Sequence, residues 1–314
     1  MLKLRRDNLG NYSTWANPKI CKKNTSEDLE KFYSYFKKLN ARKQQNEEYI
    51  LTRSEALGPL DYEISEQETV KAIDLLKTGK APGVDNILCE LLKHGKEALK
   101  GPLTVLFNKI LPSGRYPTLW SHGLIIPIFK KDDPSNPQNY RGITLLSAMG
   151  KIFTSIMNSR LCDYLIEKGI ITPEQCGFRK KHGTQDSIFI LKALIDKYVK
   201  SKPKKSNKLL FTCFVDFSKA FDSIPRGKQF QKLKLVGVTG RFLGILHSMY
   251  SNDKSSVKIE NMLTPAFRCH TGVKQGCMLS PTLFNLYLSD LSEKLKGHVN
   301  PKIQVYPLIC KKVF

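Results

Sequence analysis

Two aspartates six positions apart close the segment FVDFSKAFDSI, residues 214–224. Asp216 ends an apolar, strand-like run, LLFTCFV, and Asp222 follows Phe221. A carboxylate at that place has two readings. It caps the helical turn that follows, since Asp is a preferred N-cap. Or it ligates Mg²⁺, a hard cation that takes carboxylate oxygens together with substrate phosphates. On the plainer reading Phe221 belongs to the core and Asp222 fixes a turn. A second segment, HTGVKQGCMLSPTLFNLYLSD, sets Gly272 and Gly276 around Lys274 and Gln275. Glycines let a backbone come close to a ligand, and Ser280-Pro281 opens a helix with Pro in its first turn. The segment is a glycine turn into a core helix, or it presents the long amide of Gln275 to a nucleotide. A third segment, IIPIFKKDDPSNPQNYRGITLL, puts Lys130, Lys131 and Arg141 on a loop between two apolar elements. Such residues are either solvated or reach a triphosphate, Arg as a planar fork and Lys as a point charge. Cys269, His270 and Cys277 fit no standard zinc spacing.

The elements that must position these residues are legible in outline. Residues 1–58 are polar, rich in Asn, Lys, Gln and Glu, and read as a linker or tether. Within them DLEKFYSYFKKL has the aromatic stripe of a helix. The main fold, 59–314, opens with a helix whose Ser65 and Glu68 have capping-box spacing and whose Val70, Ile73 and Leu76 share a face. Gly79 stops that helix, and KAPGVD is a turn. Short helices follow at 87–94 and 101–111, then a strand, GLIIPIFK. An amphipathic helix runs from about Ala148 to Glu167, with Ile152, Phe153, Ile156, Leu161 and Leu165 on its apolar face. Another helix spans 184–199, and KSKPKKSNK reads as an exposed basic loop. The strand LLFTCFVDF, helices near 226–235 and 240–250, two strands around 256–268 and a helix from Ser280 complete the order. Interleaved helices and strands, some paired as a hairpin, make the class mixed α/β (α+β).

Composition narrows the partners. Of 314 residues, 51 are Lys or Arg and 28 are Asp or Glu, a net charge of +23. Such an excess points first to nucleic acid and second to an acidic membrane surface. The start lacks the apolar core of a secretory signal, and no apolar run is long enough to span a bilayer. The membrane reading therefore falls behind. Eight scattered cysteines without a C-x-x-C pair suit reduced core thiols and an intracellular protein, cytoplasmic or nuclear.

Taken in order, KAPGVDNI, IPIFKKDDPSNPQNYRGITLLSAMGKIF, QCGFRKKHGTQDSIFIL, FVDFSKAFDSI and GVKQGCMLSPTLFNLYLSDL resemble the reverse transcriptase domain of LINE-type, non-LTR retrotransposons. The resemblance covers about residues 60–296. It implies the fingers and part of the palm of a right-hand polymerase. It also implies RNA-directed DNA synthesis by two-metal nucleotidyl transfer with Mg²⁺, or Mn²⁺ in its place. The implied partners are an RNA template, a DNA primer and deoxynucleoside triphosphates.

Carried onto this sequence, the resemblance makes Asp216 the first metal-binding aspartate and Phe221 the gate that senses the sugar 2′ position. Gln275 and Gly276 match the loop lining nucleotide and template. Lys130 and Arg141 resemble the fingers residues that hold the triphosphate, and Gly177, Phe178 and Arg179 match a motif near the template. YRGI departs from the commoner Arg-Pro-Ile form, which predicts a looser backbone there.

The family's Tyr-x-Asp-Asp hairpin has no counterpart. The chain ends KGHVNPKIQVYPLICKKVF, Glu293 is its last acidic residue, and Pro307 disfavours a central strand. The expectation is a C-terminally incomplete reverse transcriptase that is inactive as it stands. The alternatives are a non-catalytic nucleic-acid-binding remnant and an enzyme like the group II intron maturases. No endonuclease motif is readable in the N-terminal segment.

Overall fold

Residues 5–6, 12–13, 26–41, 57–172, 175–179, 182–200, 210–217 and 219–297 are described by a computed structural model of the protein. Residues 201–208 of the basic loop and the stretch VYPLICKKVF lie outside them. The chain divides into two compact units, Met1–Cys162 with Phe221–Ser280, and Asp163–Ala220 with Pro281–Phe314.

The first unit is built on a sheet of five strands. β1 (Arg5–Arg6) and β2 (Tyr12–Ser13) form a separate two-residue ribbon. In the main sheet β3 (His122–Phe129) is central, antiparallel to β4 (Tyr140–Leu145) and parallel to β5 (Lys254–Ile259). The short strands β6 (Met262–Leu263) and β7 (Phe267–Arg268) both pair with β5. The fold is mixed α/β, as its interleaved pattern predicts.

One face of this sheet is closed by α1 (Ser26–Leu39), the helix with the aromatic stripe. Phe32 and Phe36 are buried with Ile125, Tyr140, Val257, Ile259 and Phe267 in one apolar cluster. Phe32 meets Tyr140 edge-on with ring centroids 4.7 Å apart, a favoured aromatic geometry. Part of the segment expected as a tether is thus seated on the sheet. It also explains YRGI. A Cβ on Gly142 would lie 2.7 Å from Phe36 Cε1 and 2.9 Å from Ile125 Cγ2. The glycine admits the helix; it does not loosen the strand, which keeps its register through Arg141, Gly142 and Ile143.

The helical layer follows its sequence signals. α2 (Glu66–Asp74) starts at the reciprocal Ser65–Glu68 capping box and buries Ile73. α3 (Cys89–His94), α4 (Lys96–Ser113) and α5 (Thr118–Ser121) lead to β3. Phe107 of α4 and Phe153 of α6 (Ala148–Glu167) are fully buried, with centroids 5.4 Å apart. Arg160 of α6 donates to both carboxylate oxygens of Glu68, at 2.7 and 2.8 Å, and to the carbonyls of Leu60, Tyr62 and Glu63. That set ties α6 to the start of α2.

α8 (Arg226–Leu235) and α9 (Gly240–Ser251) precede β5. Thr239 gives α9 no side-chain cap. Asp61 does so from a distance, accepting from Arg241 N at 2.7 Å and Phe242 N at 2.6 Å. Those N–H groups have no partner within the helix, and its N-terminus favours a carboxylate.

The second unit holds α7 (Thr184–Ile195), continued by a π-helical turn (Asp196–Lys200), and most of α10 (Ser280–Tyr287), then α11 (Leu291–Gly297). The strand expected over LLFTCFVDF does not form in residues 210–217, and no helix starts there. Phe211 and Phe214 are 87% and 83% exposed. β-propensity alone makes no strand. A strand persists through ladder bonds to a neighbour, and none pairs with this segment among the described residues.

Candidate functional site

The loop between β7 and α10 is fixed from beneath by a buried ionic hub. Arg226, the first residue of α8, donates to the carbonyls of Gly272 and Tyr250 at 2.9 Å and of Thr271 at 3.2 Å, and also to that of Cys269. Its guanidinium lies 4.8 Å from the Tyr250 ring centroid and pairs with Asp253 at 2.6 Å. Lys274 approaches the other Asp253 oxygen at 2.8 Å and also donates to the Ser121 carbonyl. Asp253 is 2% exposed. A charge so buried needs partners, and two cations supply them. Ser280 completes the hub by donating to the Lys274 carbonyl at 2.7 Å. Burial pushes the neighbouring Cys269 thiol up to about 12 and the Cys277 thiol up as well, so both stay protonated and unreactive at neutral pH.

On this base the loop joins two other segments. Gly272 N donates to the Ile224 carbonyl and Val273 N to the Phe221 carbonyl, each at 2.9 Å. Thr271 Oγ1 donates to the Asp222 carbonyl at 3.1 Å. Gln275 Nε2 donates to both carboxylate oxygens of Asp222 at 3.0 Å. On the other side, Thr144 N donates to the Gln275 carbonyl at 3.2 Å. Gly276 has φ +112°, and a Cβ there would stand 2.4 Å from the Thr144 carbonyl oxygen. Only glycine permits that backbone and that approach. Phe221, Gln275 and Gly276 are thereby brought together with the end of β4.

Arg141 is the second residue of that strand, three positions before Thr144, or roughly 10 Å along it. Lys130 follows β3 directly, its N–H donating to the Asn139 carbonyl at 2.9 Å. Arg141 pairs with Ile128, and strand alternation sets Ile128 and Lys130 on one face. The β3–β4 hairpin therefore carries both basic residues on a single face, with Lys130 exposed.

The remaining candidates belong to the second unit. Arg179 donates to the Thr172 carbonyl at 3.0 Å and to that of Gln175 at 3.4 Å, closing the turn through Gly177 and Phe178. Asn285 of α10 donates to the Gly177 carbonyl at 2.7 Å, and Gln175 donates back to the Asn285 carbonyl at 2.9 Å. Asp216 is exposed, in the segment that forms no strand.

Sequence reasoning missed Arg226, Asp253, Lys274 and the partner of Asp222. The available signal was charge rarity, because an Asp next to a Lys in a chain this basic invites the question of what it neutralises.

Comparison with known proteins gives this arrangement a family. The model of the reverse transcriptase (RNA-dependent DNA polymerase) family matches residues 128–307, more than half of the chain. The chain is 29% identical over 231 residues to a probable RNA-directed DNA polymerase from transposon BS of Drosophila melanogaster, covering 72% of this chain and 24% of that one. It is 28% identical over 257 residues to the RNA-directed DNA polymerase from mobile element jockey of the same species, covering 79% and 26%. A retrovirus-related Pol polyprotein from a type-2 retrotransposable element of that fly is 26% identical over 226 residues, covering 71% and 20%. The chain spans about a quarter of the length of the first of these relatives. The matched span contains Lys130, all of β4, Phe221 and the Gln275 loop, and on that ground the chain belongs to the reverse transcriptase family, in its LINE-type, non-LTR retrotransposon branch.

Proposed function

We propose that this chain supplies the fingers and part of the palm of a retroelement RNA-directed DNA polymerase, and that its own capacity is to hold nucleic acid and nucleotide. The observation supporting this is the hydrogen-bonded block that joins Phe221–Asp222, Gln275–Gly276 and the end of β4. In this reading Lys130 and Arg141 hold the triphosphate, Phe221 excludes a ribose 2′ hydroxyl, and Gln275 with Gly276 lines the nucleotide. Gly177, Phe178 and Arg179 lie along the template. The partners are an RNA template, a DNA primer and deoxynucleoside triphosphates, met in the cytoplasm or nucleus. No helix of the described residues is long and apolar enough to cross a membrane.

The family generally uses divalent metal ions. Two-metal transfer needs carboxylates that bridge both ions, and among the described residues no three His, Cys, Asp or Glu converge on one point. Asp222 has both oxygens accepting from Gln275, and Asp216 is the one carboxylate that the resemblance assigns to the metal. This donor set does not fit a two-ion centre, and we assign no catalytic step to it. The purified 314-residue chain should bind a labelled primer–template with an affinity that falls steeply with salt, yet give no extension product with Mg²⁺. Salt-independent binding would overturn the binding role. Extension abolished by Asp216→Ala would overturn the reading that chemistry is absent.

A further inference from the structure

Across β3, β5 and β7, three basic residues stand in register. His122 pairs with Lys254 in the parallel ladder, and Lys254 pairs with Arg268 in the antiparallel one. Residues directly opposite on neighbouring strands project from the same face. Strands lie about 4.8 Å apart, so the row is roughly 10 Å long. Lys254 and Arg268 are exposed. Like charges directly opposite destabilise a sheet, and among the described residues no carboxylate pairs with either.

The nearest acid in sequence, Asp253, is buried and ion-paired with Arg226 and Lys274. Its charge is spent on the hub, which leaves the row cationic. His122 ends the row half-buried, its Nε2 3.0 Å from Ser256 Oγ. Burial, with Lys274 and Lys254 nearby, lowers its pKa, so it enters as a neutral hydrogen-bonding imidazole beside two fixed charges.

We infer that the His122–Lys254–Arg268 row is a phosphate-backbone contact for a nucleic-acid strand, on the same sheet face as Lys130 and Arg141 but at the opposite end of β3. A row of this length spans about two phosphates of one strand, one for each fixed charge. The contact reads no bases, since phosphate contacts position a strand without specifying its sequence. The inference rests on the proposed nucleic-acid binding of the chain.

The test is fluorescence-anisotropy titration of a labelled RNA–DNA primer–template at several salt concentrations. Lys254→Gln/Arg268→Gln should lose affinity at low salt, and the slope of log K against log salt should shrink by roughly 1.5. Lys71→Gln/Lys77→Gln, which removes the same charge from exposed positions at α2, should leave the slope within error of the parent. An unchanged slope in the first double variant, with its thermal melt intact, would overturn the inference. So would an equal loss in both variants, which would mean general charge alone. A first variant that aggregates but binds with the parent slope would show a row that serves only to keep an edge strand from pairing, and would also overturn it. If the parent chain does not bind, the proposed function falls first and this contact with it.

Discussion

Asp222 shows how much a single carboxylate can order. Its two oxygens receive the Gln275 amide, its carbonyl receives the Thr271 hydroxyl, and its neighbours Phe221 and Ile224 accept from the loop backbone. Charge-assisted bonds of this kind are stronger than neutral ones. Asp222→Ala should therefore destabilise the chain by about 1–3 kcal/mol, while Asp222→Asn, which keeps one acceptor oxygen, should cost less than half of that. Urea unfolding of the three proteins checks the ranking, and equal midpoints would show that the Gln275 contact contributes nothing. The sequence marks Asp222 as a turn residue, which is correct as far as it goes. It does not disclose Gln275 as the partner, because 53 positions separate them. Arg226 was illegible for a related reason. Most of its partners are backbone carbonyls, which every residue has, so no residue type at a fixed spacing announces them.

Among the elements, those with strong local signals are legible in the sequence and those that depend on a distant partner are not. The helix Ala148–Glu167 has the bounds its apolar periodicity predicts, and the Ser65–Glu68 box starts α2 where expected. Residues 210–217 form no strand, because an apolar, β-prone run does not name a neighbour to pair with. The aromatic stripe of α1 foretold a helix but not the sheet beneath it. The link from α2 to α6 carries a pH signature. Burial raises the Glu68 pKa, but the bonds from Arg160 and Ser65 outweigh it and hold the carboxyl below its ordinary 4.5. A lowered carboxyl contributes stability in full above its unfolded value and loses it as pH falls through the folded one. Stability should thus drop below about pH 4.5, and Glu68→Gln should flatten that limb. At pH 7 the variant should be less stable by about 2–3 kcal/mol, because Arg160, 3% exposed, loses its charged partner. Denaturant midpoints from pH 3 to 7 decide it, and parallel curves for parent and variant would refute the coupling.

At the scale of the whole molecule, a net charge of +23 and an exposed apolar segment act in opposite directions. Like charge keeps copies of a chain apart. Phe211, Phe214, Val215 and Phe217, all exposed, invite another strand, since an unpaired apolar β-prone segment is a template for association. Salt screens the repulsion within about 10 Å at 0.1 M and leaves the apolar attraction in place. The chain should therefore self-associate as ionic strength rises, and Phe211→Ser/Phe214→Ser should suppress this without altering the melt of the first unit. Light scattering across a salt series measures it. Scattering that falls with salt, or persists unchanged in the double variant, would exclude this segment as the cause.

The seat of α1 on the sheet has a practical bearing on fragment design. Trimming this chain at the polar stretch before residue 58, where composition alone suggests a boundary, would strip Phe32 and Phe36 from Tyr140, Val257 and Phe267. The resulting recombinant piece would carry a greasy wound on the face opposite Lys254 and Arg268, and its yield and monodispersity would suffer for a reason unrelated to catalysis. Any expression series should keep Ser26–Leu39.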